Sequence, residues 1–278
     1  MDVTNTFFRA AQTVKSLNFF KETKPIKPDY FNIFAKYLGT GDGVYKSVNL
    51  LRTIIGWSQY LSNKYLEVFS GAWFDALRKS GKFLAHTSDV TVLPKISFTL
   101  QEWREAFQKY EQGKAKRISL QEKTELREKV VKNGADVIGD FAKAALLLNT
   151  TKVISIGAMA ICSISYVGIL SSMLNDSINF KHAVEHINRS WQKENTYKLN
   201  AKQNIDEIEL RRKEMINIVK RISGLAIGIL FIGELLLGSM MVALPTLLTL
   251  FTVNILSSFA LHIYNKSRAV VLREKVYA

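Results

Sequence analysis

Residues 222–264 form a run of 43 positions that holds a single charged side chain, Glu234. A water-soluble chain of 278 residues would have to bury such a run almost whole, whereas a bilayer solvates it directly. As one straight helix it would overshoot the hydrocarbon core about twofold. Pro245 stands near its middle, removes a backbone donor and permits a break. The run therefore reads as a transmembrane hairpin with arms at 222–244 and 246–264. Gly224 and Gly228 make a GxxxG pair on the first arm, which favours close helix packing.

A second stretch, Val153 to Leu174, has 22 residues without a charge. As a helix it would be about 33 Å long, enough to cross a bilayer. Gly157 and Gly168 lie eleven residues apart, close to three turns, so they should share a packing face. Glu234 falls near the centre of its arm, where a charged carboxylate costs about 2.5–3.5 kcal/mol. It reads either as part of a proton or ion path or as a neutral carboxyl bonded between helices. With no basic residue inside the apolar runs, the second reading is preferred.

The formal net charge is +14, and the basic excess is spread along the chain. Residues 1–98 hold 13 basic and 7 acidic side chains, 99–152 hold 11 and 8, and 175–221 hold 10 and 7. Beside membrane spans, that excess points to anionic lipid headgroups as partners. No compact basic module stands apart, so nucleic acid is not expected. Arg211, Arg212, Lys213, Lys220 and Arg221 precede the hairpin, and Lys266, Arg268, Arg273 and Lys275 follow it. Basic flanks at both ends suit a hairpin with both ends on the cytosolic side. A full crossing by 153–174 would then put the two halves of the chain on opposite sides. The lone Cys162 excludes an internal disulfide and with it the oxidised secreted class. The first 24 residues lack an apolar signal core, so any export is expected to proceed without a cleaved signal peptide.

Ahead of the apolar runs the periodicity is helical and amphipathic. Phe7, Phe8, Ala11, Val14, Leu17 and Phe20 mark one short helix, ended by Pro25 and Pro28. A second holds Phe31, Phe34, Ala35 and Leu38, and the chain breaks at Gly39 to Gly43. From Gly43 to Phe69, Val44, Val48, Leu51, Ile55, Trp57 and Leu61 form a broad apolar face, with Lys46 and Arg52 mainly opposite. A following helix, 72–85, pairs Trp73 and Leu77 with Arg78, Lys79 and Lys82. These helices either pack together or against the spans, or lie in the headgroup plane and wedge it. The expected class is all-α: an amphipathic region (1–98), a charged connector (99–152), a span (153–174), a polar connector (175–221), the hairpin (222–264) and a basic tail (265–278).

Two motifs imitate chemistry. His182-Ala183-Val184-Glu185-His186 matches the inverted zinc-protease pattern, yet it sits in a polar helical connector without the surrounding fold. Gly39, Gly41 and Gly43 imitate a phosphate loop without the Lys-Ser/Thr that must follow. No catalytic constellation, metal site or cofactor is expected, and the chain is not expected to be an enzyme.

Phe34-Ala35-Lys36-Tyr37-Leu38, the Gly/Asp-rich break, and the helix from Tyr45 to Leu61 follow one another in an order that resembles the peroxin-eleven family, which elongates peroxisomal membranes before fission. Leu77-Arg78-Lys79-Ser80-Gly81-Lys82-Phe83-Leu84 looks like that family's next element, and Val130 to Leu148 is similar in position to its central apolar segment. The resemblance covers about residues 30–175. It implies an amphipathic helix that inserts into the cytosolic leaflet and bends it, with both termini cytosolic. The hairpin instead resembles the bilobed hydrophobic domain of chlamydial inclusion-membrane proteins, which implies a pathogen-vacuole membrane and host partner proteins.

The expectation is a membrane-shaping protein of the peroxisomal membrane, self-associating and working beside fission machinery, its lipid contacts on the two basic helices. The alternatives are a membrane-anchored scaffold that recruits partner proteins and a small transporter built on Glu234.

Overall fold

The computed structural model describes residues 30–38, 41–65, 75–76, 79–83, 90, 92–115, 118–196, 201–238 and 243–277. The N-terminal helix expected around Phe7 to Phe20, and Gly39, Trp73, Leu77, Arg78 and Leu84, lie outside them. The fold is all-α, with no strand among the described residues. Its main helices are α1 (Tyr30–Leu38), α2 (Gly41–Tyr65), α3 (Val92–Ala115), α4 (Leu120–Thr150), α5 (Ala158–Thr196), α6 (Ala201–Leu237) and α7 (Leu244–Tyr277).

Helices α3 to α7 pack in chain order, each antiparallel to the next. The pairings run in opposite directions along each pair. Glu128 of α4 meets Lys181 of α5 while Ala142 meets Gly168. Met173 of α5 meets Gly228 of α6 while His186 meets Glu214. Phe231 of α6 stacks near Phe251 of α7 while the Tyr264 hydroxyl donates to the Glu209 carbonyl. Helix α2 departs from this order. Its Tyr45 lies over Lys143 of α4, and its Gly56 and Trp57 rest on Leu248 and Thr252 of α7. It thus bridges two helices that are not neighbours in the chain-order packing. Helix α1 seats Tyr37 edge-on against Phe259 of α7, the centre of a small core with Ile255 and Leu50.

Local chemistry sets the ends. Ser119 caps α4 by accepting from the Glu122 amide, the Ser-x-x-Glu pattern of a capping box. The same helix closes at Lys152, whose φ of 59° turns the chain, and Asn149 Oδ1 holds the turn by accepting from the Ile156 amide. Helix α5 therefore begins at Ala158, not at Val153, and Gly157 sits in the turn with open space around it. Its expected packing role with Gly168 is corrected accordingly. The hairpin break is also displaced. Helix α6 ends at Leu237, and Gly238, with φ +65°, returns its amide to the Glu234 carbonyl in the left-handed cap that glycine favours. Pro245 lies inside the first turn of α7, where its missing N–H costs nothing.

The connector 175–221 is no separate element. Its described residues, 175–196 and 201–221, are the distal part of α5 and the proximal part of α6, which pack together as two polar arms. The chain-order pairing places the apolar sections of α5 (158–174) and α6 (222–237) at the opposite end, with the start of α7. The final part of α4 follows α5 into that end, so the turn 151–157, the close of α6 at Gly238 and the start of α7 at Leu244 lie at the same end.

Candidate functional site

At the apolar end the side chains are distributed inside out. Ala142, Ala144, Ser171 and Gly228 fill the helix contacts, while Ile138, Phe141, Leu170, Ile229 and Leu236 face outward. Leu170 is 53% exposed and Leu236 is 69% exposed. Such a surface is untenable in water and suits lipid, where helices meet through small residues and the large ones face hydrocarbon. Among the described residues three helices are long and apolar enough to cross a membrane, within 158–196, 203–237 and 244–266. The chain is a helical membrane protein.

A polar seam crosses the bundle where the apolar sections meet the arms. Arg221 of α6 pairs with Asp176 of α5 at 2.8 Å, and its Nε donates to Asn217. Asn175 donates to Asp136 of α4, and Asn254 of α7 donates to the Lys220 carbonyl at 2.9 Å. A Cβ at Gly224 would collide with the Asp176 carboxylate, and one at Gly228 would lie 2.5 Å from Met173. Gly224 and Gly228 are therefore close-approach positions, and so is Gly168, where a Cβ would lie 3.2 Å from Ala142, although its expected partner Gly157 is not on that face. Deeper in the apolar end, Lys95 of α3 reaches the buried Asp140 of α4 at 3.0 Å. Burial pulls Lys95 down, but the charge and hydrogen bond of Asp140 outweigh it, so its pKa rises.

Beneath α2 lies a cleft of about 670 Å³. Helical spacing explains who faces it: Lys46, Asn49, Thr53 and Gly56 recur every three or four residues on one side of α2. Val44, Leu51, Ile54 and Leu61 are exposed on another. The broad apolar face read from the sequence thus divides in two, one part on the bundle and one outward. Of the residues expected to meet lipid, Lys46, Arg52, Ile55 and Lys82 line the cleft. Trp57 instead donates to Thr252 Oγ1 at 3.2 Å, and Val48 is half-buried. Lys79 is exposed and does not line the cleft, while Trp73 and Arg78 are outside the described residues. The floor is apolar, made by Phe231, Leu247, Leu248, Phe251 and Ile255.

A second cavity, about 560 Å³, adjoins the first through Phe231 and Phe251. Glu234 lines it together with Lys143, Ser165 and Ser172. The carboxyl therefore shares its surroundings with a lysine of another helix, which the apolar runs alone did not contain. The Lys143 ammonium stands 5.9 Å from the Tyr45 ring centroid. That charge, against burial and with help from Lys46, Asn49 and Lys95, lowers the Tyr45 pKa below its usual value. Lys143 and Tyr45 were not singled out as site residues. The signal was present in Asp140 and Lys143, two opposite charges three residues apart in an otherwise apolar stretch.

His182 and His186 face different neighbours, Glu128 of α4 at 3.0 Å and Glu214 of α6 at 3.1 Å. Among the described residues no group of three His, Cys, Asp or Glu side chains converges on a metal-sized site. Comparison with known protein families, curated proteins and solved structures finds no match.

Proposed function

We propose that the protein shapes a membrane by inserting two short hairpins, α4–α5 and α6–α7, from one side. The observation that carries this reading is that the turn 151–157, the end of α6 and the start of α7 lie together at the apolar end, with the polar arms at the other. The uncharged section 158–174 of α5 and the section 222–237 of α6 are about 24–26 Å long as helix, at the lower limit for crossing a hydrocarbon core of about 30 Å. A short apolar insert is accommodated by local thinning of the bilayer, and the outward stripe of α2 adds apolar volume on the bundle's flank. The basic excess of the polar arms, 10 basic against 7 acidic residues over 175–221, suits a surface of anionic headgroups.

The full-length protein reconstituted into liposomes containing phosphatidylglycerol should draw them into tubules or small vesicles, seen by electron microscopy. Liposomes that stay round at the same protein loading would sink the proposal. The resemblance over residues 30–175 directs the cellular test to the peroxisomal membrane; a tagged chain found instead on a pathogen-vacuole membrane would favour the second resemblance. A scaffold that recruits partner proteins is the other reading. It draws on the polar arms, which leave Ile205, Met215 and Val219 exposed.

A further inference from the structure

Several features compete for an unassigned role. The His182–His186 pair is divided between two carboxylates on opposite sides, and Cys162 is exposed with no second group pointing to a ligand. The polar seam is closed by its own ion pairs and hydrogen bonds. In the cleft beneath α2, Lys46 is already engaged with the Tyr45 ring. The second cavity is different, because opposite charges line it without meeting each other.

Glu234 of α6 and Lys143 of α4 both line this cavity. Among the described residues Glu234 makes no hydrogen bond and no ion pair, and Lys143 meets only the Tyr45 ring. Ser165 and Ser172, two turns apart on one face of α5, line it too. Hydroxyls in the neighbouring apolar helix turns donate to the carbonyl four residues back: Ser163 to Met159, Thr249 to Pro245 and Thr252 to Leu248. Ser165 and Ser172 do not, so both hydroxyls are left for the cavity. Gly168 packs on Ala142, and Gly228 on Met173 and Ile169. With antiparallel helices, those contacts bring Lys143, Ser165 and Glu234 to about the same level. The rest of the wall is apolar, with Ile227, Phe231 and Phe251 prominent.

A bare cation would gain from Glu234 and be repelled by Lys143, and a bare anion would meet the reverse. A hydrocarbon chain alone would leave the carboxyl, the ammonium and the hydroxyls without partners. A zwitterionic amphiphile with a primary ammonium satisfies every surface: its anion meets Lys143, its N–H groups donate to Glu234 and Ser165, and its chains cover the apolar wall. A quaternary ammonium has no N–H to donate. About 560 Å³ is within the usual size of small-molecule sites. Glu234 lies four residues before Gly238, and Lys143 eight before Thr151, or about 6 and 12 Å of helix from those turns. The leaflet that the turns reach is therefore the supply. Ser172, two turns further from that leaflet's surface, is where the ester oxygens of the same lipid would lie.

We propose that this cavity binds the headgroup of one phosphatidylethanolamine, its phosphate at Lys143 and its ammonium at Glu234 and Ser165. The lipid would join α4, α5 and α6 at the apolar end, where their own side chains leave the charges apart. This inference rests on the protein being in a membrane and does not require that it bend one.

The test uses the full-length protein in dodecylmaltoside micelles, with lipid retention counted by native mass spectrometry. Dioleoylphosphatidylethanolamine, dioleoylphosphatidylcholine, dioleoylphosphatidylglycerol and soluble glycerophosphoethanolamine are added separately. One phosphatidylethanolamine per chain should be retained, about tenfold or more above the other three. Equal retention of phosphatidylcholine would show that no N–H is read, and equal retention of phosphatidylglycerol that no ammonium is; either overturns the proposal. Equal retention of glycerophosphoethanolamine would assign the site to a free headgroup and overturn the lipid. Glu234→Gln should level phosphatidylethanolamine with phosphatidylcholine, and Lys143→Gln should lower retention of phosphatidylethanolamine. Glu105→Gln, on the exposed side of α3, should do neither. Similar losses in all three variants would make the binding non-specific. A second measurement needs no variant. A carbodiimide should join the phosphatidylethanolamine amine to the Glu234 carboxyl as an amide, located by peptide mass spectrometry. Cross-links confined to other carboxyls would place the lipid elsewhere. Tubulation of liposomes has no bearing on these readouts, so the lipid site and membrane shaping can fail separately.

Discussion

Along α5, residues 158–174 turn Val167 and Leu170 outward and keep Ser171 inside, whereas residues 175–196 turn Lys181 and Arg189 outward and bury Ala183 and Ser190. The inner face hardly changes character: it is made of small residues in both sections. The outer face changes completely, and so does what joins the helix to its neighbours. In the apolar section the joints are close approaches, Gly168 against Ala142 and Gly228 against Met173. In the polar arm they are ion pairs, Lys181 with Glu128, Arg211 with Glu194 and Lys193 with Glu207. One helix thus obeys two solvents. Small residues serve both, because close backbone approach does not depend on what lies outside the bundle.

This comparison can be broken first where the two regimes meet. Gly224→Val would force the Asp176 carboxylate off Arg221, leaving two charges without each other while both side chains are under 20% exposed. We expect a loss of about 3–5 kcal/mol in unfolding followed by circular dichroism in detergent. Gly157→Ala, in open space at the turn, should stay within about 0.5 kcal/mol. Equal effects at the two glycines would mean that close packing does not organise the apolar end.

The second probe is the ion pair within the apolar end. Lys95→Met leaves Asp140 buried without its ammonium. The expected cost is about 2 kcal/mol, reduced from the full value for a buried pair because Lys95 is half exposed. The raised pKa of Lys95 fixes the pH dependence. Its stabilising contribution is fully present below the ordinary lysine value of 10.5 and is lost as pH rises through the higher folded-state value. The gap between wild type and variant should therefore be constant at neutral pH and close in strong alkali. A gap that already closes near neutrality would contradict the pairing.

The smallest effect belongs to the polar arm. Arg211 pairs with Glu194 and lies 5.0 Å from the Trp191 ring centre. Arg211→Ala should cost about 1 kcal/mol and lose part of that difference at high salt, because its partner Glu194 is more than a third exposed although Arg211 itself is largely covered. A cost above that at Gly224 would reverse the ranking of the two regions.

Much of the architecture was legible before any coordinates. The uncharged runs mark the helices that meet lipid, since no other environment accepts them at that length. The GxxxG spacing of Gly224 and Gly228 identifies a true contact face. Boundaries were harder. Pro245 is a conspicuous breaker, yet a proline is also at home in a first helical turn, and α6 already ends ahead of it, at Gly238 in a left-handed conformation. Gly157 was read by spacing as part of a helix face, but the turn held by Asn149 and Lys152 excludes it.

The site was less visible. Composition and periodicity determined that the chain is helical, that it is membrane-embedded, and which faces of α2 are apolar or basic, because these properties follow from local side-chain patterns. Only the tertiary structure decided that the polar connector is a pair of arms, that the turn 151–157, the end of α6 and the start of α7 share one end, and that Lys143 joins Glu234 in one cavity. It also decided that Lys46, Arg52 and Lys82 line one cleft with Phe231 and Phe251. Those residues lie up to about 200 positions apart, and the period of a helix says which of its faces is apolar but not which distant helix that face will meet.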